Sequence, residues 1–374
     1  MSRVVVRSTD TGVESGAGAC LGRVREFART EIGSYLAAHG EMGYPAGLVD
    51  RLRGLGVFGV TVSPEYGGLG WEAADVAQLI YELARGWQPL AGLVGTHLKL
   101  CRDVARHGTA PQQDALLPAM AAGGLICARA YHEKGNNGPE LLQASIRYRG
   151  GVGVLNGHKN WVTNARNADR VIAIGRDGQS VAAVIVDPRR PGVSIGEELP
   201  RPGMLGVSLA EVTFSGYEFD PDADVLGGRG HDIAESLRGH DMTGYVSRAV
   251  GSADAVHSWA RGFVRTTIGG RPPEARGAIE LRLGELSTLV SAMRVVWQAV
   301  TCPSPRISPD QAKVFCCTSL QEVIRAAVAL CGGAGYAGHD STLTRHYRDA
   351  LALQIVGAPN DVLLSRIGVR ELGE

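Results

Sequence analysis

The apolar residues change their spacing twice along the chain, and that order limits the fold more than any single motif. Over residues 21–124 they recur at helical spacing. Residues 45–55 read as one amphipathic helix closed by Gly56, and 73–85 as another, with Val76, Leu79, Ile80 and Leu83 on one face. Residues 92–107 and 112–120 continue the helical series. Near Leu125 the spacing shortens toward two. Residues 144–149, 151–155, 171–175, 181–186, 193–195 and 210–214 read as short strands separated by Gly, Pro and Asp, the pattern of an antiparallel barrel or sandwich of roughly 110 residues. From about Asp232 the helical spacing returns, with Leu286, Leu289, Val290, Met293, Val296, Trp297 and Val300 in one stripe. Ser308-Pro309 opens a further helix, because serine caps and proline fits the first turn. That helix runs to about Cys331 and stops at Gly332-Gly333; residues 360–370 form the last. Three parts are therefore expected: helical over 18–124, β over 125–231 and helical over 232–374. Residues 1–17, rich in Ser, Thr and Gly, are expected to be poorly ordered.

Charge and cysteine usage narrow the function classes. Lys plus Arg equals Asp plus Glu at 38 each, so the basic excess of a nucleic-acid binder is missing. No Lys/Arg run points to an anionic membrane surface. No stretch approaches the ~20 apolar residues of a membrane span, and the N-terminus has no apolar signal core, so a cytoplasmic protein is expected. The seven cysteines are odd in number and form no CxxC pair, which reads as reduced, buried thiols; no metal is expected.

Three segments carry specific information. They are Leu155-Asn-Gly-His-Lys159-Asn-Trp161-Val-Thr163-Asn164, Ser63-Pro-Glu-Tyr-Gly-Gly-Leu-Gly70, and Cys331-Gly-Gly-Ala-Gly-Tyr336 followed by Arg345-His-Tyr-Arg348-Asp349-Ala350. In this order and spacing, over roughly residues 20–372, the chain resembles the acyl-CoA dehydrogenase family. The resemblance implies an α+β fold: an N-terminal helical domain, a middle antiparallel β-barrel domain and a C-terminal four-helix bundle. It implies FAD as cofactor and a homotetramer of paired dimers, a homodimer being the alternative. It implies that Trp161 packs against the isoalloxazine ring and that Thr163 hydrogen-bonds near the reactive nitrogen, excluding water and stabilising charge on reduction; the other reading of Trp161 is a core filler. Tyr131 and His132 fall beside the flavin by the same alignment, His132 as a donor, a proton shuttle or a structural histidine. Arg265-Thr-Thr-Ile-Gly269 matches the family's Arg-x-x-Phe-Gly, whose Arg reaches the FAD pyrophosphate across a subunit boundary, a task suited to a guanidinium fork; a solvated surface Arg is the alternative. Gly332 and Gly333 either bring backbone N–H groups to phosphate or simply end a helix.

The departures are as informative. The family's Thr-Glu-Pro-Gly-x-Gly-Ser-Asp loop reads here His132-Glu133-Lys134-Gly135-Asn136-Asn137-Gly138-Pro139, and the Gln after the Arg motif is Gly277. Most relatives keep a catalytic Glu eight residues after the Asp of Arg-Asp-Ala; here Gly357 stands at that distance from Asp349 and cannot remove a proton. A minority carries the base on an earlier helix, ten residues before a Gly, which lands on Asp241. Asp241 is either that base or a helix cap.

The leading reading is FAD-dependent α,β-dehydrogenation of an acyl thioester, carried by CoA or by an acyl-carrier protein as in secondary metabolism, with an electron-transfer partner. The alternatives are a flavin-dependent monooxygenase on the same fold, and a non-catalytic subunit of a hetero-oligomeric dehydrogenase.

Overall fold

The structure, a computed structural model, describes residues 16–135, 138–238, 242–267, 270, 273–302, 304, 306–337 and 342–373. Five helices come first: α1 (Gly16–His39), α2 (Ala46–Gly54), α3 (Ala73–Gly86), α4 (Gln88–His107) and α5 (Ala110–Ala121). α1 opens at Gly16, inside the stretch expected to lack order, because Ala17, Cys20, Leu21 and Val24 are buried. α4 starts earlier than the apolar spacing indicated. Pro89 fits its first turn and Trp87, just before it, is buried. The stripe on α3 lies where the sequence placed it: Val76, Leu79, Ile80 and Leu83 are all buried. Ala77, Glu82 and Ala84 are buried as well, and the helix also packs against the first long helix of the last domain.

The middle of the chain forms one curled seven-stranded sheet, with β1 (Cys127–Ala130), β2 (Ser145–Arg149), β3 (Val152–Thr163), β4 (Arg170–Asp177), β5 (Ser180–Val186), β6 (Val193–Ile195) and β7 (Leu209–Phe219). The path runs β1-β4-β2-β3-β7-β6, and β5 pairs with the other edge of β4. The sheet is mixed rather than wholly antiparallel. β1 and β2 both run parallel to β4, Cys127–Ala130 against Arg170–Ala173 and Ser145–Ile146 against Arg176–Asp177. The segment between them carries the chain along the same edge of β4 instead of turning back. β1 gave no sequence signal, being four residues long. β3 extends well past residue 155, because register shifts at Leu155/Gly157 and Lys159/Val162 break the alternation that marks a strand.

After α6 (Pro221–Asp224) and α7 (Ala234–Arg238) come α8 (Thr243–Thr267), α9 (Pro273–Thr301), α10 (Pro309–Cys331), α11 (Gly333–Ala337), α12 (Thr342–Leu353) and α13 (Asn360–Glu371). α8, α9, α10 and α12 pack as a bundle around Val246, Val250, Met293, Cys316, Leu320 and Leu343. The start of α10 follows the sequence: Ser308 Oγ accepts from Gln311 N (3.2 Å), and Gln311 Oε1 accepts from Ser308 N (3.3 Å). Contrary to the sequence reading, α10 is long and apolar enough to cross a bilayer. In this fold its buried apolar residues, among them Cys316, Leu320, Val323 and Ile324, pack in the bundle formed with α8, α9 and α12. The seven thiols are all free, six of them buried.

The domains meet where α3 crosses α8. A side chain at Gly251 of α8 would begin 2.5 Å from the Tyr81 carbonyl oxygen and 3.1 Å from Ala84 Cβ, so only glycine lets the two backbones approach. Gly251→Ala is expected to lower the unfolding free energy by roughly 1–3 kcal/mol, despite alanine's helix advantage of about 1 kcal/mol. Urea denaturation measures this, and an unchanged midpoint would mean that the helices have room to part.

Candidate active site

The site is built outward from β3. Lys159 points into the protein with no exposure, and its Nζ donates to Glu133 Oε1 (2.6 Å) and to the Tyr131 carbonyl (3.2 Å). Glu133 also accepts from the backbone N–H of Gln143 (2.6 Å) and Ala144 (3.0 Å). Burial would raise the Glu133 pKa, but the bonds from Lys159, Gln143 and Ala144 outweigh it and hold the carboxyl below its ordinary value. Burial pulls the Lys159 amine down by more than Glu133 restores. One residue on, Asn160 N donates to the His132 carbonyl (2.8 Å). Strand β3 is thus tied to residues 131–133 at three points.

Then the register slips between Lys159 and Val162, and Trp161 adopts φ 55°. A tryptophan in the left-handed region is strained by roughly 1–3 kcal/mol, and the anchors on Lys159 and Asn160 hold it there. The consequence is directional. Val162 goes fully into the core, while Trp161 is 58% exposed and Thr163, two residues on, shares its face. An exposed indole beside a half-exposed hydroxyl is a wall with a donor at its edge. Trp161 is therefore not a core filler. Asn164 turns the chain at φ 63°, its N–H bonded to the Ser208 carbonyl (2.6 Å). Among the described residues, Asn160 Oδ1 and both polar side-chain atoms of Asn164 are enclosed without a hydrogen-bond partner. Enclosed, unmatched polar atoms flanking an exposed ring fit a flat heterocycle with donors and acceptors on its rim, as the isoalloxazine ring of FAD has.

The other sequence candidates divide. His132 is half-buried, its ring 5.1 Å from that of Tyr131. Burial, then Arg129, Lys159 and Lys99, lower its pKa, so it is neutral and able to donate near pH 7. Tyr131 is buried in the core, and its carbonyl is one of the acceptors for Lys159. Arg265 is exposed in the last turn of α8 and makes no ion pair among the described residues. Gly332 caps α10 with φ 59°, but Gly333 is not part of that stop, because the chain re-enters a helix there as α11. Both glycines are exposed, and none of these three residues hydrogen-bonds to β3. Asn136, Asn137, Ile268, Gly269 and Asp241 lie outside the described residues.

The vacated base position is filled. Gly357 has φ 77°, and a side chain there would begin 2.5 Å from Tyr245 Cε2. Tyr245 lies on the first turn of α8, and Met242, just before that helix, packs with Ala358 and Leu363. The start of α8 therefore stands against the segment that usually carries the base. Nearby, Arg348 pairs with Glu41 and Asp349 Oδ1 accepts the Met204 N–H. Burial, opposed by the Met204 N–H, Arg248 and Arg348 and reinforced by Glu41, lifts the Asp349 carboxyl to about 7.

Sequence reasoning missed the Lys159–Glu133 pair, Tyr245 and Arg248. A lysine at an inward strand position was one available signal. The polar recurrence Tyr245, Arg248, Ser252 at i, i+3 and i+7 of one helix was another.

The fold as a whole has known relatives. Residues 19–124, 130–217 and 228–372 match the family models "Acyl-CoA dehydrogenase, N-terminal domain", "middle domain" and "C-terminal domain", respectively. The chain is 27% identical over 358 residues to an acyl-CoA dehydrogenase of Bacillus subtilis, covering 91% of this chain and 93% of that one. The butyryl-CoA dehydrogenase of Megasphaera elsdenii superposes with a TM-score of 0.87 at 22% identity, over 95% of this chain and 98% of that one. A glutaryl-CoA dehydrogenase of Mycobacterium smegmatis, solved with FADH2, gives 0.86 at 19%, over 98% and 97%.

Glu133→Ala would strand the Lys159 charge in the interior, and roughly 3–5 kcal/mol of stability should be lost. Chemical denaturation of the variant tests this; a loss below about 1 kcal/mol would mean that the pair is not a structural anchor. Gly357→Glu, which restores the residue type usual at that position, should confer no activity. It should destabilise by at least roughly 1–3 kcal/mol, because the Tyr245 ring and the positive φ both oppose a side chain. A folded, more active Gly357→Glu enzyme would show that Tyr245 moves aside.

Proposed function

Since this chain belongs to the acyl-CoA dehydrogenase family, we propose that it is an FAD-dependent oxidoreductase that dehydrogenates an acyl-CoA thioester between Cα and Cβ, using a base relocated to Asp241. The observation that carries the reading is the outward, strained presentation of Trp161 with Thr163 beside it, a construction that costs folding energy and serves no core. FAD, when bound, supplies the hydride acceptor.

The roles of the chain's own residues follow. Trp161 walls the ring site and excludes water, and Thr163 donates at its edge. Asn160 and Asn164 have polar atoms to offer the rim. Neutral His132 is a donor for the ring edge or the thioester carbonyl, whose polarisation acidifies the α-proton. With Gly357 excluded, the carboxylate that takes this proton is Asp241. Supporting it, the adjoining Met242 and Tyr245 pack against the Gly357–Ala358 segment. Arg265 of one copy reaches the cofactor pyrophosphate of another, so the working form is a homo-oligomer of paired dimers. An acyl-carrier protein in place of CoA, and a place in secondary metabolism, belong to the same reading.

Tyr245 over Gly357 also favours a second reading, a flavin-dependent monooxygenase, in which no α-proton is abstracted and the space of the base is free for other uses.

The purified protein is expected to be yellow and to bleach on anaerobic addition of its acyl-CoA. Asp241→Asn should slow bleaching by roughly 10²- to 10⁴-fold while thioester binding persists. Bleaching at the unaltered rate would remove Asp241 from the mechanism. Oxygen consumption that needs externally reduced flavin would favour the monooxygenase, and a colourless protein would favour a subunit that lacks its active partner.

A further inference from the structure

Arg248 is a buried cation that finds few hydrogen-bond partners among the described residues. It is 7% exposed on α8. Its Nε donates to Gln88 Oε1 (2.9 Å), and its Nη2 lies 3.5 Å from the Met204 sulfur. A guanidinium has five N–H donors, and Gln88 supplies the single oxygen acceptor among the described residues. No carboxylate pairs with it there. The two buried lysines differ in kind. Lys159 is answered by Glu133, and Lys313 by Ala358 O (2.8 Å), Asn360 Oδ1 (2.7 Å) and Gln354 O (3.5 Å). A buried charge left this way is unfavourable unless an anion completes it.

Its place gives that anion a source. The guanidinium carbon is 5.9 Å from the Tyr245 ring centroid, and the Tyr245 ring stands on Gly357, the usual base position. On the α4 side, a side chain at Gly92 would begin 3.4 Å from Arg248 Nη2, so glycine there leaves the guanidinium uncrowded. The acid nearest in its electrostatic surroundings, Asp349, uses Oδ1 on the Met204 N–H and makes no hydrogen bond to Arg248. Burial lifts the Asp349 carboxyl to about 7, so at neutral pH it is only partly ionised and answers Arg248 only in part.

We infer that Arg248 receives a carboxylate at the far end of the acyl chain, so that the substrate is the CoA monothioester of a short dicarboxylic acid. A guanidinium fork matches a carboxylate in two parallel bonds, and an uncharged acyl tail would leave the cation as it stands. The inference rests on the acyl-thioester reading of the site.

The test is isothermal titration of the FAD-loaded protein with succinyl-CoA and glutaryl-CoA, each against its terminal amide. At least one acid should bind about tenfold or more tightly than its amide, and Arg248→Gln should abolish that preference while the amide still binds. If Arg248→Gln fails to fold, Arg248→Lys, which keeps the charge but not the fork, should show a reduced preference. Amides that bind and bleach the flavin as well as the acids do would overturn this inference and leave the dehydrogenase standing. Binding by neither acid nor amide would sink both.

Discussion

The buried pair of Lys159 and Glu133 is the constraint on which the face of the site depends. It joins the longest strand of the sheet to the loop that follows β1, and it does so one residue before the strand leaves its register. Without an anchor on that side, Trp161 would relax from its left-handed conformation, and the indole would turn toward the space Val162 now fills. The ion pair contributes little as a net stabiliser, since two charges had to leave water. Its effect is to specify one register among those a bulged strand can adopt.

Helix α8 holds the other half of the site. It touches α3 at Gly251, where the backbones meet, and it carries Tyr245 and Arg248 on the turns before that contact. Because the crossing is fixed by direct backbone contact, the first turns of α8 cannot withdraw from the segment around Gly357. The Tyr245 ring therefore excludes a side chain there. In this fold the glycine at 357 and the tyrosine ring over it require each other.

Much of this was legible in the chain. The two changes of apolar spacing announced helices, strands and helices in that order. The stripe on α3 and the Ser308 cap of α10 fell where local pattern put them, because both are set by residues within one or two turns of each other. The Trp161-Val-Thr163 motif coincides with the bulge of β3, where Trp161 turns outward. β1, the parallel pairings and the full length of β3 were not legible. A four-residue strand has no measurable period, and a bulge erases the alternation on which strand recognition rests.

What the sequence alone determined, then, is the order of the layers, the family, and the absence of a carboxylate at position 357. What only the tertiary structure decided is that Trp161 faces outward, that Tyr245 occupies the space at Gly357, and that Arg248 is buried with one oxygen acceptor among the described residues. Helix stripes and caps are written in neighbouring residues. By contrast, Tyr245 meets Gly357 across 112 positions, and Arg248 meets Gln88 across 160. Such pairings follow from how helices cross and strands slip, which no window along the chain contains.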